Sequence, residues 1–178
     1  MVTDHFSYAL RWAVEAGADE AEVRAAWASG RAVDVPIGHL WDVLRVTTTV
    51  GVDVIRALDA DGVTLGPILE VPPRVTIEFL VPRGHCSQWK RQPSVLLVDS
   101  GHIRWPAPDV TLPRDRRAVC GRSWIVPPWA GRPEHTPIGH LFTAVQNSIG
   151  GHNAAAEHER RAVKIAAAEA RGRVPTLR

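Results

Sequence analysis

Apolar residues recur at helical spacing in three stretches of the first sixty residues, and this pattern predicts three amphipathic helices. The first helix is predicted from a cap at Thr3 or Asp4 to Gly17, and the second from Asp19 to Gly30. The third is predicted from a cap within residues 47–49 to the stretch 59–62. Asp19 stands three residues before Glu22, which is the spacing of a capping box, with Asp in the cap position. The apolar residues that define the three faces are Phe6, Leu10, Ala13 and Val14, then Val23 and Trp27, then Val50, Val54, Ile55 and Leu58.

The middle of the chain changes to the two-residue period of a β-strand. Val75, Ile77, Phe79 and Val81 alternate with Thr76, Glu78 and Leu80, which predicts a half-buried strand. Shorter strands separated by Gly and Pro are predicted at residues 40–46, 67–71, 94–98, 103–105, 110–112 and 123–126. The predicted fold class is therefore α+β, a small mixed or antiparallel sheet flanked by helices.

The last part of the chain is predicted to be helical. Thr136 is expected to cap a helix with Pro137 at its first position, and this helix is expected to break at Gly150-Gly151. Residues 152–171 are rich in alanine and poor in large apolar side chains, which predicts a mostly exposed C-terminal helix. We therefore divide the chain into an α+β domain at 1–150 and a helical extension at 151–178.

Composition and charge exclude several classes of protein. With 45% hydrophobic and 22% charged residues, the chain is expected to fold around a core. It has no apolar run of the ~20 residues that span a bilayer and no signal-peptide pattern, so we expect a soluble, cytoplasmic protein without membrane partners. Cys86 and Cys120 are the only cysteines, and we expect both to be reduced thiols.

The sequence contains no motif that identifies a type of reaction or a cofactor. The eight histidines form no HExxH pair and accompany no CxxC, and neither GxGxxG nor a phosphate-binding P-loop occurs. The sequence therefore predicts no catalytic residue, no metal ligand and no cofactor. One alternative stays open, a small enzyme that uses the neighbours His85 and Cys86 with an acidic residue; a thiol nucleophile needs a base within reach.

Two short basic clusters are the candidate binding residues. Arginine and aromatic side chains close together can contact phosphates and stack on bases. The candidate nucleic-acid-binding residues are Arg83, Trp89, Lys90, Arg91, Arg114, Arg116 and Arg117. Two alternatives remain: solvated loops beside core tryptophans, and an arginine bias that reflects a high-GC bacterial genome, since only two of the 21 basic residues are lysines.

The order of elements over roughly residues 8–130 resembles the N-terminal domain of bifunctional primase–polymerases, in the archaeo-eukaryotic primase group. The resemblance rests on two leading helices, a strand that runs into a helix from Trp41 to Leu58, the strand Arg74–Phe79, and a late strand pair around 109–127. That family typically has an Asp-x-Asp metal motif on the strand before the helix and a catalytic His in a Gly-Gly-x-His-hydrophobic-x-Phe stretch.

In this chain the family's functional positions are occupied by other residues. The resemblance aligns Arg45-Val46-Thr47 with the Asp-x-Asp motif and puts Thr76 where the His stands. It thus implies a catalytically inactive, primase–polymerase-like module that binds nucleic acid or regulates. The competing hypothesis is a structural or interaction protein that docks on a protein partner or self-associates through residues 152–178.

Overall fold

The computed structural model describes residues 5–85, 89, 92, 94–111, 121–129 and 133–172, with side chains described as far as residue 164. Within these ranges the helices are α1 (His5–Glu15), α2 (Glu20–Ala28), α3 (Thr48–Ala60) and α4 (Ile138–Gly172). The strands are β1 (Val33–Pro36), β2 (Trp41–Thr47), β3 (Ile68–Val71), β4 (Thr76–Pro82), β5 (Val95–Val98), β6 (His102–Trp105) and β7 (Ser123–Val126).

The strands form two sheets in which every named strand pair is antiparallel. The larger sheet has the order β5-β2-β4-β3-β7, and β1 pairs with β6 in a separate two-stranded sheet. The α+β class, the antiparallel sheet with flanking helices and the C-terminal exposed helix that the sequence predicts are confirmed.

Two separate hydrophobic clusters lie on the two faces of the five-stranded sheet. On one face, α1, α2 and the small sheet pack against Trp41, Val43 and Leu80. On the opposite face, α3 and α4 cover the alternate side chains of the same strands, such as Leu44 and Phe79. Successive side chains of a strand point to opposite faces, so β2 and β4 are buried on both sides. The prediction that the strand around residue 78 is half-buried is therefore wrong.

Tryptophans fill much of the first face. The rings of Trp41 and Trp105 stack with centroids 5.4 Å apart, and Trp124 packs edge-on against Trp105. Trp12 of α1 closes the group, 5.4 Å from Trp105. These bulky rings lie near the β2 residue Trp41; toward Thr47, the side chains of β2 and β4 on this face are polar, namely Arg45, Glu78, Thr47 and Thr76.

Helix α3 approaches the sheet closely because it carries a glycine at the contact. A Cβ atom on Gly51 would lie 2.8 Å from side-chain atoms of Ile77 in β4. Asp19 caps α2 as the sequence predicts, accepting a hydrogen bond of 2.9 Å from the N–H of Glu22. Local sequence signals therefore set the helix start, and a small residue sets the distance between layers.

The structure differs from the predicted strands in three places. Val75, predicted as part of a strand, is exposed and left-handed at φ 53°, in the turn between β3 and β4. The predicted strand at 110–112 is a single bridge between Thr111 and Trp124, and Leu112 lies outside the described residues. β1 is not among the predicted strands; it is held by pairing with β6, which lies about seventy positions later in the chain.

The C-terminal helix is continuous where the sequence predicts a break. α4 runs through Gly150 and Gly151 as one helix of 35 residues. Thr136 does not cap it by its side chain; the buried hydroxyl accepts a 3.0 Å hydrogen bond from the N–H of Gly66. Leu141 and Val145 bury the first turns against α3, whereas every residue at 150–164 is exposed.

None of the described helices combines the length and apolar character of a membrane span.

Candidate functional site

The polar end of the sheet face brings together residues from two central strands. Arg45 of β2 lies directly opposite Glu78 of β4, and Thr47 lies opposite Thr76. All four belong to the face that carries the tryptophans at its other end, because they alternate with residues of the second core. The three positions that the sequence singled out as substituted, Arg45, Thr47 and Thr76, therefore lie side by side.

Glu78 is a completely buried carboxylate at the centre of this end. Its Oε1 accepts a hydrogen bond of 2.7 Å from Nε of Arg45 and lies 3.9 Å from a guanidinium nitrogen of Arg74. Its Oε2 and the hydroxyl of Thr76 are buried and have no hydrogen-bond partner within the described part of the chain. Each such buried polar atom costs about 1–3 kcal/mol, and such costs concentrate at functional sites.

Two further arginines complete a group that we call the arginine cluster, Arg45, Arg74, Arg104 and Arg122. Arg122 directly precedes β7 and is only 7% exposed. Burial lowers the pKa of Arg122; Glu78 opposes the shift, whereas Arg74, Arg104 and Arg45 add to it. The other three guanidinium groups therefore act electrostatically on Arg122, and Glu78 is a buried counter-charge for Arg45, Arg74 and Arg122.

The cluster opens to solvent on both sides of Glu78. On the β5 side there is a cleft of about 640 Å³, lined by Arg45, Thr47, Thr76, Gln92, Ser94 and Leu96. Toward the two-stranded sheet there is a pocket of about 380 Å³, whose polar residues are Asp34, Arg74, His102, Arg104 and Arg122. Asp34 and Arg104 form an exposed ion pair at 3.2 Å across β1 and β6. The arrangement offers guanidinium donors to an anion.

Most of the predicted binding residues lie outside the described part of the chain, and these are Lys90, Arg91, Arg114, Arg116 and Arg117. Arg83 is exposed and donates a hydrogen bond of 3.1 Å to the carbonyl of His39, at the end of β4 away from Thr76. Trp89 is buried and packs edge-on against Phe142 of α4. Arg83 and the arginine cluster therefore lie at opposite ends of the sheet.

The alternative enzyme site is only partly described. His85 is half-buried and interacts electrostatically with Asp42, while Cys86 lies outside the described residues. Burial raises the pKa of Asp42, and the N–H of Gly84 opposes the shift with a hydrogen bond of 3.2 Å. Among the described residues, no group of three or more His, Cys, Asp or Glu side chains is placed to hold a metal ion.

The sequence patterns missed most of this site. Glu78, Arg74, Arg104, Arg122 and Asp34 belong to no basic run, and they stand far apart in the chain. One signal was present: Glu78 interrupts an apolar strand, and a buried carboxylate needs a cationic partner. That signal predicts that a partner exists, but it does not predict which arginine supplies it.

Comparison with known proteins adds no relative to this description. No protein-family model, curated protein or solved structure matches the chain. The resemblance to primase–polymerases therefore stays a prediction that rests on the residues quoted for it.

Proposed function

We propose that this protein is a non-catalytic nucleic-acid-binding module that contacts phosphates with the arginine cluster. The observation that carries the proposal is the convergence of four guanidinium groups at the polar end of the sheet. Among the residues that the structure describes, they outnumber the two carboxylates paired with them, Glu78 and Asp34. Arginine binds phosphate oxygens in bidentate geometry, so this local excess of positive charge suits a phosphate backbone.

The cleft beside Arg45 supports contact with a flexible strand rather than with a single ion. Leu96 lies opposite Arg45 on β5 and is 49% exposed, so an apolar surface adjoins the guanidinium group. The hydroxyls of Thr47 and Thr76 line the same cleft. Cationic, hydroxyl and apolar groups side by side fit the alternating phosphate and base surfaces of single-stranded nucleic acid.

We expect no catalysis because a cation occupies the position of the metal motif in the resembled family. Two-metal phosphoryl transfer requires carboxylate ligands. Arg45 stands where the resembled family has a carboxylate, and the nearest carboxylate, Glu78, is already bonded to that arginine. We expect no Mg²⁺- or Mn²⁺-dependent primer extension. Robust extension that a point change in the chain's own acidic residues abolishes would overturn this part.

The binding proposal is tested by fluorescence anisotropy with labelled single-stranded DNA, duplex DNA and RNA across a salt series. Arg74→Gln/Arg104→Gln removes two exposed cations, and Arg24→Gln/Arg56→Gln is the matched control on the outer faces of α2 and α3. Losing two phosphate contacts should lower the slope of log K against log salt by about 1.4 for single strands. The control should keep the wild-type slope.

Two results would overturn the binding proposal. One is the absence of salt-dependent binding at low salt, and the other is identical binding by wild type and Arg74→Gln/Arg104→Gln. The predicted basic clusters are tested separately in the same assay with Arg114→Ala/Arg116→Ala/Arg117→Ala. If only that triple variant loses affinity, the contact surface lies in those residues and the arginine cluster has another role.

The second candidate function is assembly through the C-terminal helix, which docks on a protein partner or self-associates. The specific observation is that every residue at 151–164 is exposed, including Val163. His152 contacts Asp53 of α3 at 2.9 Å, and an exposed helix is only marginally stable in water, so a partner surface would stabilise the part of α4 that follows. Solution mass measured with and without residues 152–178 tests self-association: an equal oligomeric state in both proteins removes it.

A further inference from the structure

Helix α4 loses its tertiary packing at one point along its length. Leu141 and Val145 are fully buried and Ile149 packs partly buried against the same hydrophobic cluster, whereas every residue at 150–164 is exposed. The helix itself continues beyond this point as far as Gly172. We call residues 152–172 the distal segment; as far as residue 164, its side chains have no apolar cover.

The loss of packing coincides with a pair of glycines. A Cβ atom on Gly150 or on Gly151 would meet nothing within 4 Å, so no close contact requires glycine at either position. Each glycine in a helix interior makes the helical state about four- to fivefold less favourable than alanine does. The two glycines therefore make α4 easiest to open directly after its last packed turn.

A single polar contact holds the helix immediately beyond the glycines. Nε2 of His152 lies 2.9 Å from Oδ2 of Asp53 in α3, and both side chains are half-exposed. Within the described part of the chain, this is the one hydrogen bond or ion pair that joins residues 150–164 to another element. We call this pair the latch. Because it fixes the first residue after the glycines, it opposes the opening of the helix there.

The strength of the latch depends on the charge of its histidine. A protonated His152 forms an ion pair with the Asp53 carboxylate, whereas a neutral ring forms only the weaker neutral hydrogen bond. Histidine is the side chain that ordinarily changes charge between about pH 5 and pH 8. The other charged or titratable groups of the two packed helices near this contact are Arg56, Asp59, Asp61, His140 and Glu157. Among the described residues, His152 pairs with Asp53 and with none of these five.

We propose that the glycine pair and the latch form a pH-sensitive hinge. Protonation of His152 favours the continuous helix, and loss of the proton favours a helix that ends near Ile149 and leaves the distal segment unattached. The unattached segment has little stability of its own, because an isolated helix of this length is marginal in water. The hinge acts in the isolated chain and needs neither nucleic acid nor a partner, so it stands or falls independently of both candidate functions.

The test is amide hydrogen exchange of the full chain, followed by NMR at about pH 5.5 and about pH 8, on the two sides of the histidine range. Protection factors are compared, since they remove the intrinsic effect of pH on exchange. Amides at 153–164 should be about threefold more protected at the lower pH, the size of effect that a half-exposed ion pair has. Equal protection at both pH values would overturn the proposal.

Two variants and two controls assign the pH effect to the latch. Asp53→Asn and His152→Gln should each remove the difference, because neither variant can form the ion pair; both positions are half-exposed, so both variants should fold. His158→Gln changes another exposed histidine of the distal segment, and His140→Gln changes one in the packed part of α4. Both controls should keep the full difference. A difference that persists in Asp53→Asn, or disappears in a control, would overturn the latch.

The glycines are tested by Gly150→Ala/Gly151→Ala, which should not disturb packing because both positions face open space. The two alanines should raise the protection of amides at 153–164 about tenfold or more at either pH, as their helix propensity predicts. Unchanged protection would show that α4 does not open at the glycines and would overturn the hinge.

Discussion

Replacing Glu78 by glutamine tests whether the arginine cluster depends on its buried counter-charge. The side chain is fully buried and bonded to Arg45, so Glu78→Gln removes a charge while keeping the shape and opening no cavity. Breaking a buried ion pair costs about 3–5 kcal/mol, since the remaining charge is left without compensation. The Arg45 side chain keeps 19% exposure to water, which favours the lower end, about 3 kcal/mol.

The assay is urea unfolding followed by tryptophan fluorescence and circular dichroism, with thermal melting as a second measure. A loss of about 3 kcal/mol corresponds to roughly 6–12 °C in melting temperature for a chain of this size. The matched control is Glu15→Gln, which breaks the exposed pair with Arg11 at 3.8 Å. We expect the control to lose less than about 1 kcal/mol.

One result would contradict this reasoning. If Glu78→Gln loses no more stability than Glu15→Gln, the buried carboxylate is not the counter-charge of the cluster.

Further predictions address the core and the C-terminal helix. Deleting 152–178 should leave a cooperative thermal transition, because the described side chains from 152 to 164 are exposed; an insoluble or molten product contradicts this. Burial lowers the pKa of His135 from 6.5 to about 4, so the unfolded chain binds a proton first and stability is lost as pH falls from 6.5 toward 4. Urea unfolding at several pH values should show a smaller loss for His135→Phe, and equal losses exclude His135 as the cause. Gly66→Ala should unfold at clearly lower urea than Gly139→Ala, because its Cβ would lie 2.6 Å from the backbone nitrogen of Thr136, whereas Gly139 has open space. Equal midpoints would show that the backbone at Gly66 yields.

Much of the secondary structure follows from local patterns in the sequence. The starts of the first three helices and the strand from Thr76 follow from periodicity and capping residues, which act over a few positions. The incorrectly predicted break at Gly150-Gly151 has the same origin, because it rests on the low helix propensity of glycine alone. Helix propensity is a weak local preference, and α4 continues through both glycines despite it.

The candidate site consists of contacts that a local sequence pattern does not predict. The sequence directs attention to neighbouring basic residues such as Arg114, Arg116 and Arg117, because adjacency is the only proximity that a sequence displays. The cluster in the structure joins arginines at positions 45, 74, 104 and 122, which meet only after the strands have paired. Nothing in the local sequence of Arg122 distinguishes it from an exposed arginine.

The sequence by itself thus determined the class of fold and the periodic elements, because helix and strand periods are properties of short segments. Only the tertiary structure decided that β4 is buried on both faces, that β1 pairs with β6, and that Glu78 lies among four arginines. The physical reason is that strand order and burial depend on contacts between residues far apart in the chain. The electrostatic field of a buried charge depends on the same contacts, so the arginine cluster exists only in the folded protein.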